Sequence, residues 1–446
     1  MAQPMSQDEK PYLRRNFKLG VINGALWLLA RALTDPDTVL PAFAVALMGD
    51  NPLYVGILVS FVNVGWFWPP LLMISAMSTG QRRHPYYQGS GILRVFAISG
   101  ACILTYYLAA DHPLAAFIGI SFCYLLLTSA GGIGLIPFMS VLTDSVPANR
   151  RAKFFAMRFF FGGLMAFGAG FWVKWLLSDA SGLDFPHDYA LLFGIATIVT
   201  TLAVAAWWGA KEPEHKVETR SLPLRLQLLR GLRRLRTRPG FLRLIGSRLM
   251  MAASYGLVVP FLVPYAYRSL RMAEAMVGLA LSIRVLSDSM SNLLWSRLSS
   301  RYGNRFLLIT SGMLHLVGVA MVLAIPLLPL MTLGTLMGLE FDLRLAALMV
   351  CFGTLGAARS GQLTGQSAYV LDFTPERTRP VYLATYYLLT GPVAFMPLIT
   401  ALLIGVGGRY LLAFGLATIA AIATIGLYFS LKPLRGITDD DQPPHS

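Results

Sequence analysis

Charge is scarce in this sequence. Only 13% of its 446 residues are Asp, Glu, Lys or Arg, where a soluble domain carries roughly 25%. With 55% of residues hydrophobic, the apolar excess calls for a nonaqueous solvent. Cysteine is equally sparse: Cys102, Cys123 and Cys351 each lie inside an apolar run, which excludes a disulfide framework or a zinc cluster and reads as small buried hydrophobes. No Gly-Lys-Ser or Gly-Lys-Thr phosphate loop occurs, so direct ATP drive is not expected. No Ser-His, paired-His or metal-ligand constellation is present, and neither an enzyme nor a bound metal or cofactor is expected. The first residues lack the basic start and small-residue cleavage site of a signal peptide, so the first apolar segment is expected to be retained.

What the chain has instead is long apolar runs. A spanning helix needs about 20 apolar residues at about 1.5 Å rise each. Uncharged runs of that length are Leu53–Gln81, Pro113–Thr143, Tyr189–Ala210, Leu249–Tyr267, Phe306–Leu339, Val381–Gly408 and Tyr410–Leu431. The run Phe306–Leu339 is long enough to include an outer loop. Further segments with one or a few internal charges are Leu19–Leu47, Ile92–Ala110, Phe154–Leu177, Val277–Ser296 and Leu345–Leu371. The expected fold is an all-α membrane protein with twelve transmembrane helices.

The net charge of +15 does not mark a nucleic-acid binder, because the basic residues recur on alternate connections. Connections assigned to the cytoplasm, both tails included, hold 26 of the 37 Lys and Arg residues, against five outside (Lys174, Arg268, Arg271, Arg344 and Arg409). That bias orients the chain with both termini cytoplasmic in the inner (plasma) membrane. The connection Lys211 to Arg243 carries ten basic and three acidic residues. Its Leu224, Leu228, Leu232 and Leu235 share one helical face, as in a basic amphipathic helix lying on an anionic leaflet. The expected division is an N-terminal six-helix bundle over 1–210, this linker over 211–243, a C-terminal six-helix bundle over 244–432 and a flexible tail over 433–446.

The halves align with each other. Asp144, Pro147, Arg151, Ala156 and Gly163 match Asp372, Pro375, Arg379, Ala384 and Gly391 at an offset of 228. Val55, Gly56, Ser60, Ser78 and Arg83 match Val277, Gly278, Ser282, Ser300 and Arg305 at an offset of 222. Two such stretches in the same order point to duplication.

With these features the sequence resembles the major facilitator superfamily. That family's signature between helices two and three, echoed between eight and nine, runs Gly, three residues, Asp-Arg, one residue, Gly, one residue, Arg. Ser300, Arg301, Tyr302, Gly303, Asn304 and Arg305 fit its second part with Ser in place of Asp, and the copy at Ser78 to Arg83 also lacks the Asp. The acidic-proline-arginine loops at Asp144 and Asp372 are similar to the family's corresponding loops. The resemblance implies two pseudo-symmetric six-helix bundles around a central cavity, and a cytoplasmic gate at Asp144, Arg151, Arg158, Arg301, Arg305, Asp372 and Arg379. The antiporter pattern of glycines with a Gly-Pro step is absent from helix five, where Gly162, Gly163, Gly168 and Gly170 stand without proline, which disfavours multidrug export.

Ionisable groups inside a bilayer cost several kcal/mol unless paired or wet, which makes them functional candidates. Arg31 and Asp35 are four apart, expected to pair within the first helix, with Asp37 beside them and Pro36 and Pro41 kinking the chain. Arg284 and Asp288 repeat the spacing in helix eight, and Arg359, Gln362 and Gln366 share a face of helix ten. By the resemblance, Arg31, Asp35, Arg359, Gln362 and Gln366 face the substrate path, with Arg284 and Asp288 on its flank. His315 is expected to be peripheral. The expected function is secondary transport of a small solute with protons as coupling ion, Asp35 being the first candidate carrier and Asp37 and Asp288 the next. Permanently ionised aspartates held by arginines would instead predict uniport or an anionic substrate. The expected particle is a monomer among membrane lipids. The alternative is a transporter-like sensor or assembly factor that does not transport.

Overall fold

The computed structural model describes residues 10–76, 84–146, 148–210, 239–336, 339–374, 379–405 and 407–433. In hydrocarbon every backbone polar group must be satisfied within its own segment, and the apolar runs accordingly form helices. They are α1 (Lys10–Leu33), α2 (Val39–Met48), α3 (Pro52–Ala76), α4 (His84–Leu108), α5 (Pro113–Ser145), α6 (Ala148–Leu176) and α7 (His187–Trp208). After the undescribed stretch 211–238 follow α8 (Pro239–Val258), α9 (Leu262–Leu270), α10 (Met276–Tyr302) and α11 (Asn304–Ala324). The chain ends with α12 (Leu343–Phe373), α13 (Arg379–Thr390), α14 (Met396–Ile404) and α15 (Tyr410–Ser430).

Among the described residues, ten segments are long and apolar enough to cross a membrane. The two expected spans missing from that set contain α1 and α10, whose charged and polar residues dilute their apolar character. The amphipathic stretch expected at 211–243 lies outside the described residues up to 238, and its last residues open α8.

Three breaks fall at prolines, whose missing N–H interrupts the helical ladder. Between α1 and α2, the Asp35 carboxylate accepts from the Asp37 backbone N–H at 3.0 Å and from the Thr38 hydroxyl at 3.0 Å, holding the turn beside Pro36. A 3₁₀ turn at Val259–Phe261, with Pro260, joins α8 to α9, and one at Gly391–Phe395, with Pro392, joins α13 to α14. The last part of the run Phe306–Leu339 enters a hairpin: β1 (Thr332–Leu336) pairs antiparallel with β2 (Leu339–Asp342), with Leu336 opposite Leu339. Asp342 then caps α12 by accepting from the Leu345 N–H at 2.7 Å.

The repeat has a structural meaning. Gly56 on α3 lies against α14, where an added Cβ would sit 2.7 Å from the Pro397 carbonyl, and the Ser60 hydroxyl accepts from the Leu398 N–H at 3.1 Å. Their counterparts do the same at a second crossing. Gly278 on α10 lies against α6, where a Cβ would sit 2.7 Å from Lys174 Cα, and Ser282 donates to the Phe167 carbonyl at 3.0 Å. Small residues at such crossings let backbones approach.

The core is continuous at one end and divided at the other. At the end where α2 terminates and α12 begins, one cluster joins Phe43, Val55, Phe193, Phe261, Leu281, Phe352 and Phe414. At the opposite end, Tyr87, Phe138, Phe154 and Trp207 form one cluster. Phe241, Leu308, Tyr369, Tyr382 and Tyr428 form another.

Candidate functional site

Where the core divides, a cavity of about 730 Å³ runs from the α1–α2 break towards the end at which α8 begins and α12 finishes. That volume is within the roughly 300–1,000 Å³ of small-molecule sites. Trp27, Trp66, Phe67, Tyr255, Tyr386 and Tyr387 supply aromatic wall, and Arg31, Asp37, Arg248, Arg359, Gln362 and Gln366 supply polar groups.

The closed end of the cavity is an ion cluster. Arg284 on α10 bonds Asp35 through Nη2 and lies 3.2 Å from Asp37 Oδ2 through Nη1. Arg359 on α12 lies 3.9 Å from the same Asp37 oxygen, which also accepts from the Tyr255 hydroxyl at 2.7 Å. The Arg359 guanidinium stands 5.6 Å from the Tyr255 ring centre, a cation–π distance. Asp35, Asp37 and Arg284 are all buried. One guanidinium thus satisfies two carboxylates from a different part of the chain, which suits its planar, many-donor shape.

This arrangement corrects the intrahelical pairs expected from spacing. Arg31 does not pair with Asp35, and Arg284 does not pair with Asp288, because the turn at Pro36 swings Asp35 and Asp37 towards α10. Arg31 instead lines the cavity, with its guanidinium 6.0 Å from the Trp27 ring centre and no ion pair among the described residues. Asp288 is half-buried and bonded to Ser360. Asp37 lines the cavity, whereas Asp35 lies behind it.

Gln362 and Gln366 belong to a chain of hydrogen bonds. Arg248 donates to Gln366 at 2.8 Å, Gln366 donates to the Tyr428 hydroxyl at 3.0 Å, and that hydroxyl donates to Gln362. Gln362 then donates to Ser311 at 3.0 Å, so the chain ties α12 to α8, α11 and α15 at the cavity wall. His315 is interior, contrary to the expectation of a peripheral residue. Ser254 donates to the Ala417 carbonyl at 2.8 Å, which leaves its oxygen to accept from His315 Nε2 at 2.9 Å. The imidazole stacks on Tyr255 at 6.4 Å.

Five of the expected gate residues make the following contacts among the described residues. Arg151 donates to the Val146 carbonyl at 3.0 Å, and Arg158 to the Gly20 carbonyl at 2.8 Å and to Asn23 at 3.1 Å. Arg301 lies 5.3 Å from the Tyr302 ring centre. Arg305 donates to the Phe429 carbonyl, and Asp372 accepts from Asn304, both at 2.6 Å. Each of these contacts joins residues on the same side of the 211–238 stretch. The side chains of Asp144 and Arg379 lie outside the described part.

Sequence reasoning missed Arg94, Arg248 and Tyr255. The first two carry the signal that marked the others, a charge inside an apolar segment. Tyr255 carries none, since one tyrosine among 18 is singled out only by the carboxylate it meets. No group of three or more metal-ligating side chains exists among the described residues.

The architecture is that of a polytopic membrane protein with a polar cavity between its helices. The Major Facilitator Superfamily profile matches residues 244–444. Solved transporters extend the fold over nearly the whole chain. A D-xylose–proton symporter superposes with TM-score 0.68 at 13% identity, covering 96% of this chain and 100% of that one. A nucleoside transporter, NupG, gives 0.66 at 13% over 93% and 99%. A bacterial homologue of the iron transporter ferroportin, in an outward-facing state, gives 0.63 at 14% over 94% and 99%. At these identities the likeness is one of fold. No curated protein matched the sequence.

Proposed function

We propose that this protein is a secondary active transporter that moves a small solute across the inner membrane by alternating access, coupled to protons. The observation that carries the proposal is the cavity of about 730 Å³, open where the core is split and closed by buried charges where the core is single. In this reading α1 with α2, α8 with α9, and α13 with α14 are broken single spans, and α1–α2 and α10 complete twelve. Residues 1–210 and 244–432 are the two six-helix bundles, joined by the basic linker over 211–243. The Lys and Arg bias makes the open end cytoplasmic, so the structure is an inward-facing state of a monomer.

The coupling step is assigned to Asp37, since it touches both the cavity and the cluster. Protonating Asp37 removes the charge that Arg284 and Arg359 share. It thereby weakens the link from the α1–α2 break to α10 and α12 and lets the closed end part. Asp35, behind the cavity, serves as the fixed counter-charge of Arg284. A sensor or assembly factor needs no polar-lined path ending in a breakable ionic seal.

The test is uptake into proteoliposomes from pools of labelled small solutes under an imposed pH gradient, with and without a protonophore. Accumulation that collapses with the protonophore, and in Asp37→Asn, is the expected result. Accumulation unaffected by both removes proton coupling, and absence of flux for every pool favours the non-transporting alternative.

A further inference from the structure

Two arginines in the first part of the chain, Arg31 and Arg94, make no ion pair among the described residues. Arg94 on α4 is 8% exposed; its Nη2 reaches the Ala130 and Gly131 carbonyls at 3.4 and 3.3 Å, and its one side-chain partner is the neutral Tyr87. Its guanidinium lies 5.7 Å from the Tyr87 ring centre, and its buried Nε has no partner. Arg31 makes no hydrogen bond or ion pair among the described residues. A buried guanidinium with long, neutral contacts bears a desolvation cost that a matching anion would offset. Arg284, by contrast, has its two carboxylates.

Arg31 and Arg94 line the same small chamber of about 70 Å³, with Tyr124, Thr128 and Trp66. The Tyr124 hydroxyl is also buried without a partner. Trp27, Arg31, Pro36, Val62 and Trp66 line both this chamber and the main cavity, so the chamber is a side pocket of the solute path. A water needs only about 10–15 Å³ on this measure. The pocket therefore has room for a carboxylate and its neighbouring carbon, but not for a sugar ring or a nucleotide.

We infer that the solute is an amphipathic organic monocarboxylate. Its acid group is held in the side pocket between Arg31 and Arg94, with Tyr124 as a further donor. Its apolar body lies along Trp27, Trp66 and Phe67 in the main cavity. A guanidinium pair binds a carboxylate by charge-assisted hydrogen bonds, and the aromatic wall rewards an apolar tail. The assignment deepens the transporter reading and rests on the main cavity being the solute path. Asp37 stays committed to Arg284 and Arg359, which leaves Arg31 and Arg94 to meet the anion.

The test uses the full-length purified protein in detergent. Thermal shift and tryptophan-fluorescence titration are run with straight-chain and phenyl-substituted monocarboxylates of three to twelve carbons. Matched alcohols, amines and phosphate monoesters, and sodium chloride, serve as controls. Expected is at least a tenfold preference for a carboxylate over its alcohol and amine. Arg94→Gln should weaken that binding at least tenfold, and Arg94→Lys less. If Arg94→Gln is not monodisperse, Arg31→Gln carries the test, because that side chain has no bond to lose.

Binding by amines or alcohols as tight as by acids overturns the proposal, as does a response to chloride alone, to phosphate monoesters in preference to acids, or to none of the panel. Counterflow of the bound acid in proteoliposomes separates the two readings. Binding without counterflow would sink transport and leave the site standing. Counterflow unchanged in both Arg94→Gln and Arg31→Gln would sink the site and leave transport standing.

Discussion

Arg284 Nη1 lies 3.2 Å from Asp37 Oδ2 although the two residues are 247 positions apart. Both side chains are buried, and the same guanidinium also holds Asp35. Breaking a buried pair by removing one partner costs about 3–5 kcal/mol, because the orphaned charge stays buried.

Arg284→Ala leaves Asp35 without its cation and Asp37 with Arg359 as its only ion-pair partner among the described residues, at 3.9 Å. We expect a stability loss of about 3–5 kcal/mol, read as a lower midpoint of thermal unfolding in detergent. Arg284→Lys keeps the charge but not the fork that spans two carboxylates, and should recover only part of the loss. Full stability in the alanine variant would show that the cluster does not hold the closed end.

Tyr255→Phe removes one donor to the Asp37 carboxylate while keeping the ring beneath Arg359 and beside His315. Hydrogen bonds to charged groups are worth about 1.5–3 kcal/mol, and a loss of that size is expected. Chemical denaturation of the two proteins in parallel measures it. Tyr255→Leu, which also loses the ring, should be worse; equal losses would assign no value to the ring contacts.

Gly278→Leu places a side chain where Lys174 Cα stands 2.7 Å from the ideal Cβ position. Backbone cannot give way as a flexible side chain can, so the α6–α10 crossing must part, at about 1–3 kcal/mol or more. In a background lacking Cys102, Cys123 and Cys351, a cysteine placed at Val62 should react faster with an impermeant maleimide added from outside. Unchanged labelling would mean that this crossing does not seal the outer end.

Tyr428→Phe takes one hydrogen-bond partner from the Gln362 oxygen and one from the Gln366 amide nitrogen, both on buried side chains, by deleting the hydroxyl that bridges them. An unsatisfied buried amide costs about 1–3 kcal/mol. The expected outcome is reduced thermal stability with solute affinity largely kept, since the chain holds α12 against its neighbours. Loss of binding at unchanged stability would instead make the pair a direct solute contact.

The amino-acid sequence by itself determined that helices form, roughly where they lie, and which end carries the positive charge. Hydrocarbon content and basic connections are local properties, summed along the chain. It also marked Gly56 and Gly278 as equivalent, through an offset of 222, without saying that both sit at helix crossings. Spacing put Arg31 beside Asp35 and Arg284 beside Asp288. Tertiary structure decided otherwise, because the turn at Pro36 redirects both aspartates towards a residue about 250 positions away. The hairpin at Thr332–Asp342, the burial of His315 and the uncompensated Arg94 were likewise settled by packing. Pairing between distant segments depends on which helices meet, and no periodicity within one helix encodes that.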